Sequence, residues 1–183
     1  MARTRRELDA GQKRDALMAA ARRLFMAEGY DATGMARIAA EAGVAPNTLY
    51  WYFDDKDALL IALLDELVAE ALAEYAQVQA RPLDAQLLWL LGKFDAAPGL
   101  VTTVHARLAQ SPAIHAWHER FHRMVEALVI SLLATHGVPE AERYPAARIA
   151  MFVVEGLLSH HAGAPGERAT LAALLAARIV PAR

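Results

Sequence analysis

Apolar residues recur at three- and four-residue intervals along this 183-residue chain, and no stretch alternates cleanly between apolar and polar. That spacing lines one face of an α-helix and argues against half-buried strands. Hydrophobic residues make up 56% of the chain, many of them alanine, the best helix former. Pro82, Pro98, Pro112, Pro139 and Pro165 fall between the periodic segments and predict helices over roughly 83–96, 99–109, 113–136, 140–162 and 167–180. Ahead of them a first helix is expected from Ala10 to Glu28, burying Leu17, Ala21, Leu24 and Phe25, with Gly29 as its C-cap. A second follows Thr33 as N-cap and buries Met35, Ile38, Ala39 and Ala42. A short third opens near Ala45 with Pro46 in its first turn, where the missing N–H costs nothing. The fourth begins in "DDKDALL" and passes Tyr75. The expected fold is all-α with about nine helices: a three-helix head over 1–55, and a body over 56–183 that opens with the fourth helix.

Composition narrows the function classes. The chain has no cysteine, which excludes disulfides and thiolate metal sites and fits a reducing cytoplasm. No apolar run approaches the roughly 18 residues of a membrane helix, so no membrane partner is expected. The opening "MARTRRELDAGQKR" lacks the apolar stretch of a signal peptide. Net charge is −2, yet residues 1–23 carry seven basic and three acidic side chains, while residues 61–183 carry ten and twelve. A basic N-terminal segment ahead of a mildly acidic body directs any polyanion to the head, although a solvated basic tail has the same composition.

The stretch "GVAPNTLYWYF", residues 43–53, sits where the second and third helices meet. Helix, glycine turn and helix form a helix-turn-helix, though a plain helical hairpin shares that outline. On the third helix Leu49 faces inward with Val44 and Phe53. Asn47, Tyr50 and Trp51 fall within about a third of the circumference on another face. In a recognition helix, Asn47 suits adenine, Thr48 a thymine methyl or a polar base edge, and Tyr50 a phosphate. Double-stranded DNA is therefore the expected partner of this face.

Residues 29–60, "GYDATGMARIAAEAGVAPNTLYWYFDDKDALL", closely resemble the DNA-binding signature of the TetR (tetracycline-repressor) family. The matching landmarks are Gly29-Tyr30, Thr33, Ile38-Ala39, Gly43-Val44, Leu49-Tyr50, Phe53, Lys56 and Leu59-Leu60. The resemblance implies a two-domain homodimeric regulator, most often a repressor, whose body binds a small molecule and thereby releases a palindromic operator. Carried over by position, it implies phosphate contacts from Thr33 and Tyr50, a phosphate clamp at Lys56, and a DNA-facing helix that opens at Pro46. Ala45 stands where the family usually has Ser or Thr, Gly34 where a larger residue is common, and Trp51 where a basic residue or His is frequent. Those departures bear on which operator is bound and how tightly.

The body holds a motif from a different class. "HAWHERFH", residues 115–122, contains His118, Glu119 and His122 in the spacing of zinc proteases, with His115 one turn earlier. A metal-dependent hydrolase is thus an alternative, with His136, Glu142, Glu155, His160 and His161 as further candidate ligands. A short pattern of this kind recurs by chance, and the expectation is no bound metal, no cofactor and no enzyme. A DNA-binding structural protein without ligand control is the other alternative.

For an effector, Trp89, Phe94, His105 and Trp117, with Phe121, Met124 and Phe152, are the expected pocket wall. Aromatic lining with a few polar groups suits a largely apolar or aromatic molecule. On the last two helices Ala146, Ala150, Val153, Gly156 and Leu157, then Leu171, Leu174, Leu175 and Ile179, are apolar or small and suit a core. The family resemblance implies instead that they pair with a second copy as a four-helix interface.

Overall fold

The computed structural model describes residues 2–159 and 166–179, with side chains at 2–9, 158–159, 167–168 and 178–179 outside the described set. Every regular element among these residues is an α-helix. In chain order they are α1 (Ala2–Ala27), α2 (Met35–Glu41), α3 (Pro46–Tyr50), α4 (Lys56–Val78), α5 (Leu83–Asp95), α6 (Pro98–Arg107), α7 (Pro112–Thr135), α8 (Glu140–Ser159) and α9 (Glu167–Ile179). No single helix among them is long and apolar enough to cross a membrane.

The boundaries at Pro82, Pro98, Pro112 and Pro139 hold to within a few residues because each of these four opens a helix or immediately precedes one. Pro165 lies outside the described residues. Pro98 and Pro112 are first residues of α6 and α7, and Pro82 is the N-cap of α5. The expected extension of α8 over 160–162 lies outside the described residues. α1 starts at Ala2 and not Ala10, since its first turns are polar and leave no apolar period to read.

The chain forms two compact units, Met1–Leu72 with Ala97–Trp117, and Ala73–Ala96 with His118–Arg183. In the first, α1 packs on α2 and α6, and α2 packs on α3. Leu17, Ala21, Leu24 and Phe25 of α1 are buried as expected, with Ile38, Ala39, Leu49 and Phe53. Leu59, Leu60 and Leu63 bring α4 into the same core, whereas Met35 and Ala42 are only half-buried. In the second unit α5 packs on α8 and α9, which also meet each other. Leu133, Val138 and Ala147 join α7 to α8, flanked by Val129, Ile130 and Ala146. Buried Gln86 fastens the turn between α4 and α5: the Tyr75 hydroxyl donates to its oxygen at 2.6 Å, and its amide donates to the carbonyls of Gln79 and Arg81 at 3.1 and 2.7 Å.

The turn between α2 and α3 follows from one residue. Gly43 takes φ +67° just past the end of α2. Its N–H donates to the Ala40 carbonyl at 3.1 Å and the Val44 N–H to the Ala39 carbonyl at 3.0 Å, which satisfies two otherwise orphaned carbonyls. Nothing among the described residues lies within 4 Å of where a Cβ would sit at Gly43, so a side chain there meets backbone strain and no clash with them. Gly43→Ala is expected to lower unfolding free energy by about 1–2 kcal/mol, measured by urea titration, with helix content retained.

Candidate nucleic-acid interface

α3 is held by its own opening proline at one end and by residues of α1 at the other. Pro46 is its first residue, and the N-cap, Ala45, is extended (φ −65°, ψ 143°) with no side-chain hydrogen bond, as expected where a hydroxyl is missing. Leu49 is fully buried, while Tyr52 is half-buried and donates its hydroxyl to the Ala10 carbonyl at 2.9 Å. Phe53 is buried with the Arg14 guanidinium 5.7 Å from its ring centre. The adjacent Tyr50 and Trp51 go the other way, 54% and 87% exposed. Together with exposed Asn47 they line a shallow, open hollow. Thr48 lies beside them, half-buried.

Two expected phosphate contacts sit elsewhere. Thr33 is fully buried, and its hydroxyl donates to the Gly29 carbonyl at 2.7 Å, facing into the protein. The N-cap of α2 is accordingly Gly34 and not Thr33. Lys56 is turned inward as well. Its ammonium donates to the carbonyls of Tyr30 and Thr33 at 2.8 and 3.1 Å and lies 4.1 Å from the Tyr30 ring centre. A cation over an aromatic face with two carbonyl acceptors is an internal clamp between the 29–33 turn and α4.

The neighbouring residue completes this clamp. Asp55 caps α4 by accepting the Ala58 N–H at 2.7 Å, and Asp57 accepts the Tyr30 hydroxyl. Arg107, the last residue of α6, donates through Nε and Nη2 to the two Asp57 oxygens at 2.7 and 2.8 Å. Its guanidinium also lies 4.9 Å from the Tyr30 ring centre. Burial pushes the Asp57 carboxyl up, but hydrogen bonds from Arg107, Tyr30 and Ser111 outweigh it and hold the group below its ordinary value. Burial, and then the bond to Asp57, raises the Tyr30 phenol above its ordinary value. No local pattern announces this pair, since 50 residues separate its members.

Residues 17–63 match the sequence pattern of bacterial regulatory proteins of the tetR family. The HTH-type transcriptional regulator LmrA of Bacillus subtilis (strain 168) is 25% identical over 159 residues, covering 80% of this chain and 84% of that protein. Over that stretch the chain is similar to the tetR family. It is a DNA-binding transcriptional regulator, and the regulators it resembles are generally not enzymes. A TetR transcription regulator from Haloarcula marismortui shares the fold with a TM-score of 0.72 at 19% identity, over 93% of this chain and 97% of that one. The multidrug binding protein EbrR, solved with imidazole, does so with a TM-score of 0.65 at 18% identity, over 93% and 96%.

The remaining candidate residues divide between the two units. Trp117 is buried in the first unit, where its indole N–H donates to Asp65 at 2.7 Å, and His105 of the same unit is exposed. Trp89, Phe94, Phe121 and Met124 are half-buried in the second unit. There Phe94 meets Phe121 edge-on at 6.4 Å, and Trp89 stacks at a tilt on Tyr75 at 5.7 Å. Phe152 belongs to no wall of that kind: it is 61% exposed under the Arg148 guanidinium. In the His118-Glu119-His122 motif the two rings lie 4.1 Å apart, but His122 pairs with Glu155 at 3.2 Å and Glu119 approaches Arg123. Among the described residues no three histidine or acidic groups are placed to hold a metal ion. His160 and His161 lie outside that set.

The expected interface residues also separate. Ala150 and Leu157 are buried within their own chain, and Ala146 flanks the α7–α8 cluster. Val153, Gly156, Leu171 and Leu175 are half-buried, and the Ile179 side chain lies outside the described set. Leu174 of α9 is exposed, and so are Tyr144, Ile149 and Phe152 of α8. α8 is apolar on two faces, and spacing alone does not say which one turns outward.

The Asp57–Arg107 pair has a measurable signature. Arg107→Ala is expected to cost about 1–3 kcal/mol of unfolding free energy near neutral pH. A carboxylate depressed on folding contributes stability that is present above its unfolded pKa, roughly 4, and lost as pH falls through the folded value. The gap between wild type and Arg107→Ala should therefore close on acidification below about pH 4, as chemical unfolding across pH would show.

Proposed function

We propose that the chain is a repressor that binds a palindromic operator as a homodimer and is released by a small, largely apolar or aromatic effector. The observation that carries this reading is the recognition helix α3, with Asn47, Tyr50 and Trp51 exposed side by side while Leu49 anchors it. Residues 1–55 take the DNA-binding role, and residues 56–183 the effector and pairing roles. The site of action is the cytoplasm.

Pairing is supported by apolar side chains that water would otherwise cover. Ile149 and Phe152 of α8 are 56% and 61% exposed, and Leu174 of α9 is 57% exposed. A self-complementary contact between two copies would bury all three twice over. Gly156 fits the same face, because nothing among the described residues lies within 4 Å of a Cβ placed there. The effector reading rests on the aromatic contacts of Trp89, Phe94 and Phe121, with the His122–Glu155 pair as the polar group nearby in sequence and space. EbrR, similar in fold, is described as a multidrug binding protein.

Phe152→Glu is expected to weaken self-association by on the order of 3 kcal/mol, about a hundredfold, since the carboxylate would be buried unpaired. Sedimentation and operator binding should fail together while circular dichroism stays helical. A wild-type chain that sediments as a monomer at micromolar concentration removes the dimer.

Effector and operator must oppose each other by the same factor in both directions. An inducing molecule should bind more weakly to the operator complex than to the free protein, by the factor that it weakens DNA binding. Phe121→Ala should reduce effector affinity by about tenfold or more, and leave operator affinity unchanged when no effector is present. Equal effector affinity with and without operator would make release a competition at the DNA surface.

A further inference from the structure

We propose that Asn47 and Trp51 form an adenine–thymine reader in which Trp51 covers the 5-methyl group of a thymine next to the adenine held by Asn47. This deepens the operator reading above and rests on it. Asn47 and Trp51 are four residues apart at the two ends of α3, and Trp51 continues the helical backbone as its C-cap (φ −73°, ψ −21°). Side chains four apart lie on one helical face, so the amide and the indole flank a common space. That space is the open hollow that these two residues and Tyr50 line.

The chemistry of the two groups differs in kind. An asparagine amide matches the N6 and N7 edge of adenine with one donor and one acceptor. An indole at this position brings no charge and one donor, so it suits an apolar group better than a phosphate. In the major groove the apolar group that a base pair presents is the thymine methyl. Burial of Leu49 and Phe53 and the Tyr52 hydrogen bond to Ala10 fix the backbone on either side of Trp51. The indole itself packs on little of the protein, being 87% exposed. Its removal therefore alters the DNA face and leaves the core intact.

The test uses the full chain and two steps. Selection from random duplexes yields the preferred site, and each thymine in that site is then replaced singly by deoxyuridine, which lacks only the methyl group. Wild type is expected to show one thymine per half-site whose replacement weakens binding about fourfold, the worth of one buried methyl. Trp51→Ala should bind the thymine and deoxyuridine duplexes equally while keeping the adenine preference, and Asn47→Ala should lose that preference. Trp51→Phe, which keeps an apolar ring, should retain part of the methyl discrimination. Unchanged thermal unfolding of Trp51→Ala confirms an intact head. The proposal falls if no thymine is methyl-sensitive in wild type, or if the sensitivity survives in Trp51→Ala. It falls equally if Trp51→Ala weakens random and selected duplexes alike, which would make the indole a backbone contact. A chain that selects no sequence at all would instead overturn the operator reading beneath it.

Discussion

The start of α4 holds the head together. Two consecutive residues there, Lys56 and Asp57, reach in different directions and meet on one tyrosine. Lys56 binds the Tyr30 carbonyl and lies over the Tyr30 ring, and Asp57 accepts the Tyr30 hydroxyl. Arg107 then closes the set from α6. Each polar group in this knot has a partner, which is the condition under which partly buried charges are tolerated. A three-helix head of this length buries too little apolar surface to be robust alone. Leu59, Leu60 and Leu63 of α4 supply further core, and the ion pair to α6 keeps that helix seated on it.

The same knot explains why two residues with DNA-binding roles by resemblance point inward. Thr33 and Lys56 both act on the 29–33 turn: the threonine hydroxyl takes the Gly29 carbonyl, and the lysine takes those of Tyr30 and Thr33. The turn between α1 and α2 thereby becomes a fixed piece, and α2 leaves it in a set direction. Pattern similarity finds such residues because they recur at fixed spacing; it does not distinguish a residue that touches DNA from one that holds the frame.

What was legible in the sequence is what local chemistry decides. Prolines marked the helix starts, Gly43 marked the turn because only its backbone takes φ +67° without strain, and the 47–51 stretch placed Leu49 inward and its neighbours outward. Tertiary choices were not legible. Asp57 and Arg107 are unremarkable charges until the fold brings them together, and Trp117 is one more aromatic until Asp65 accepts its N–H. On α8 the buried stripe with Ala147, Ala150 and Leu157 and the exposed one with Ile149 and Phe152 are both apolar. Periodicity identifies a helix there and leaves its rotation open, so the sequence alone groups Phe152 with the pocket aromatics and gives Ile149 no role.

Charge on the head bears on how it can discriminate between DNA sequences. The excess of basic residues in its first part is partly answered by acids in the folded chain. Arg22 pairs with Glu70, Arg23 with Glu41, and Arg37 stands between Glu28 and Glu41. Lys56 is taken up by carbonyls and Arg14 lies over Phe53. Exposed pairs of this kind add little stability, but each glutamate beside an arginine weakens the local field that a phosphate meets. Binding driven by phosphate neutralisation alone needs many unopposed cations and carries no sequence information. Among the described residues, Arg22, Arg23 and Arg37 are answered by glutamates while α3 presents an amide, a phenol and an indole to solvent. On the proposed reading that helix therefore offers more to base edges than those three cations offer to phosphates.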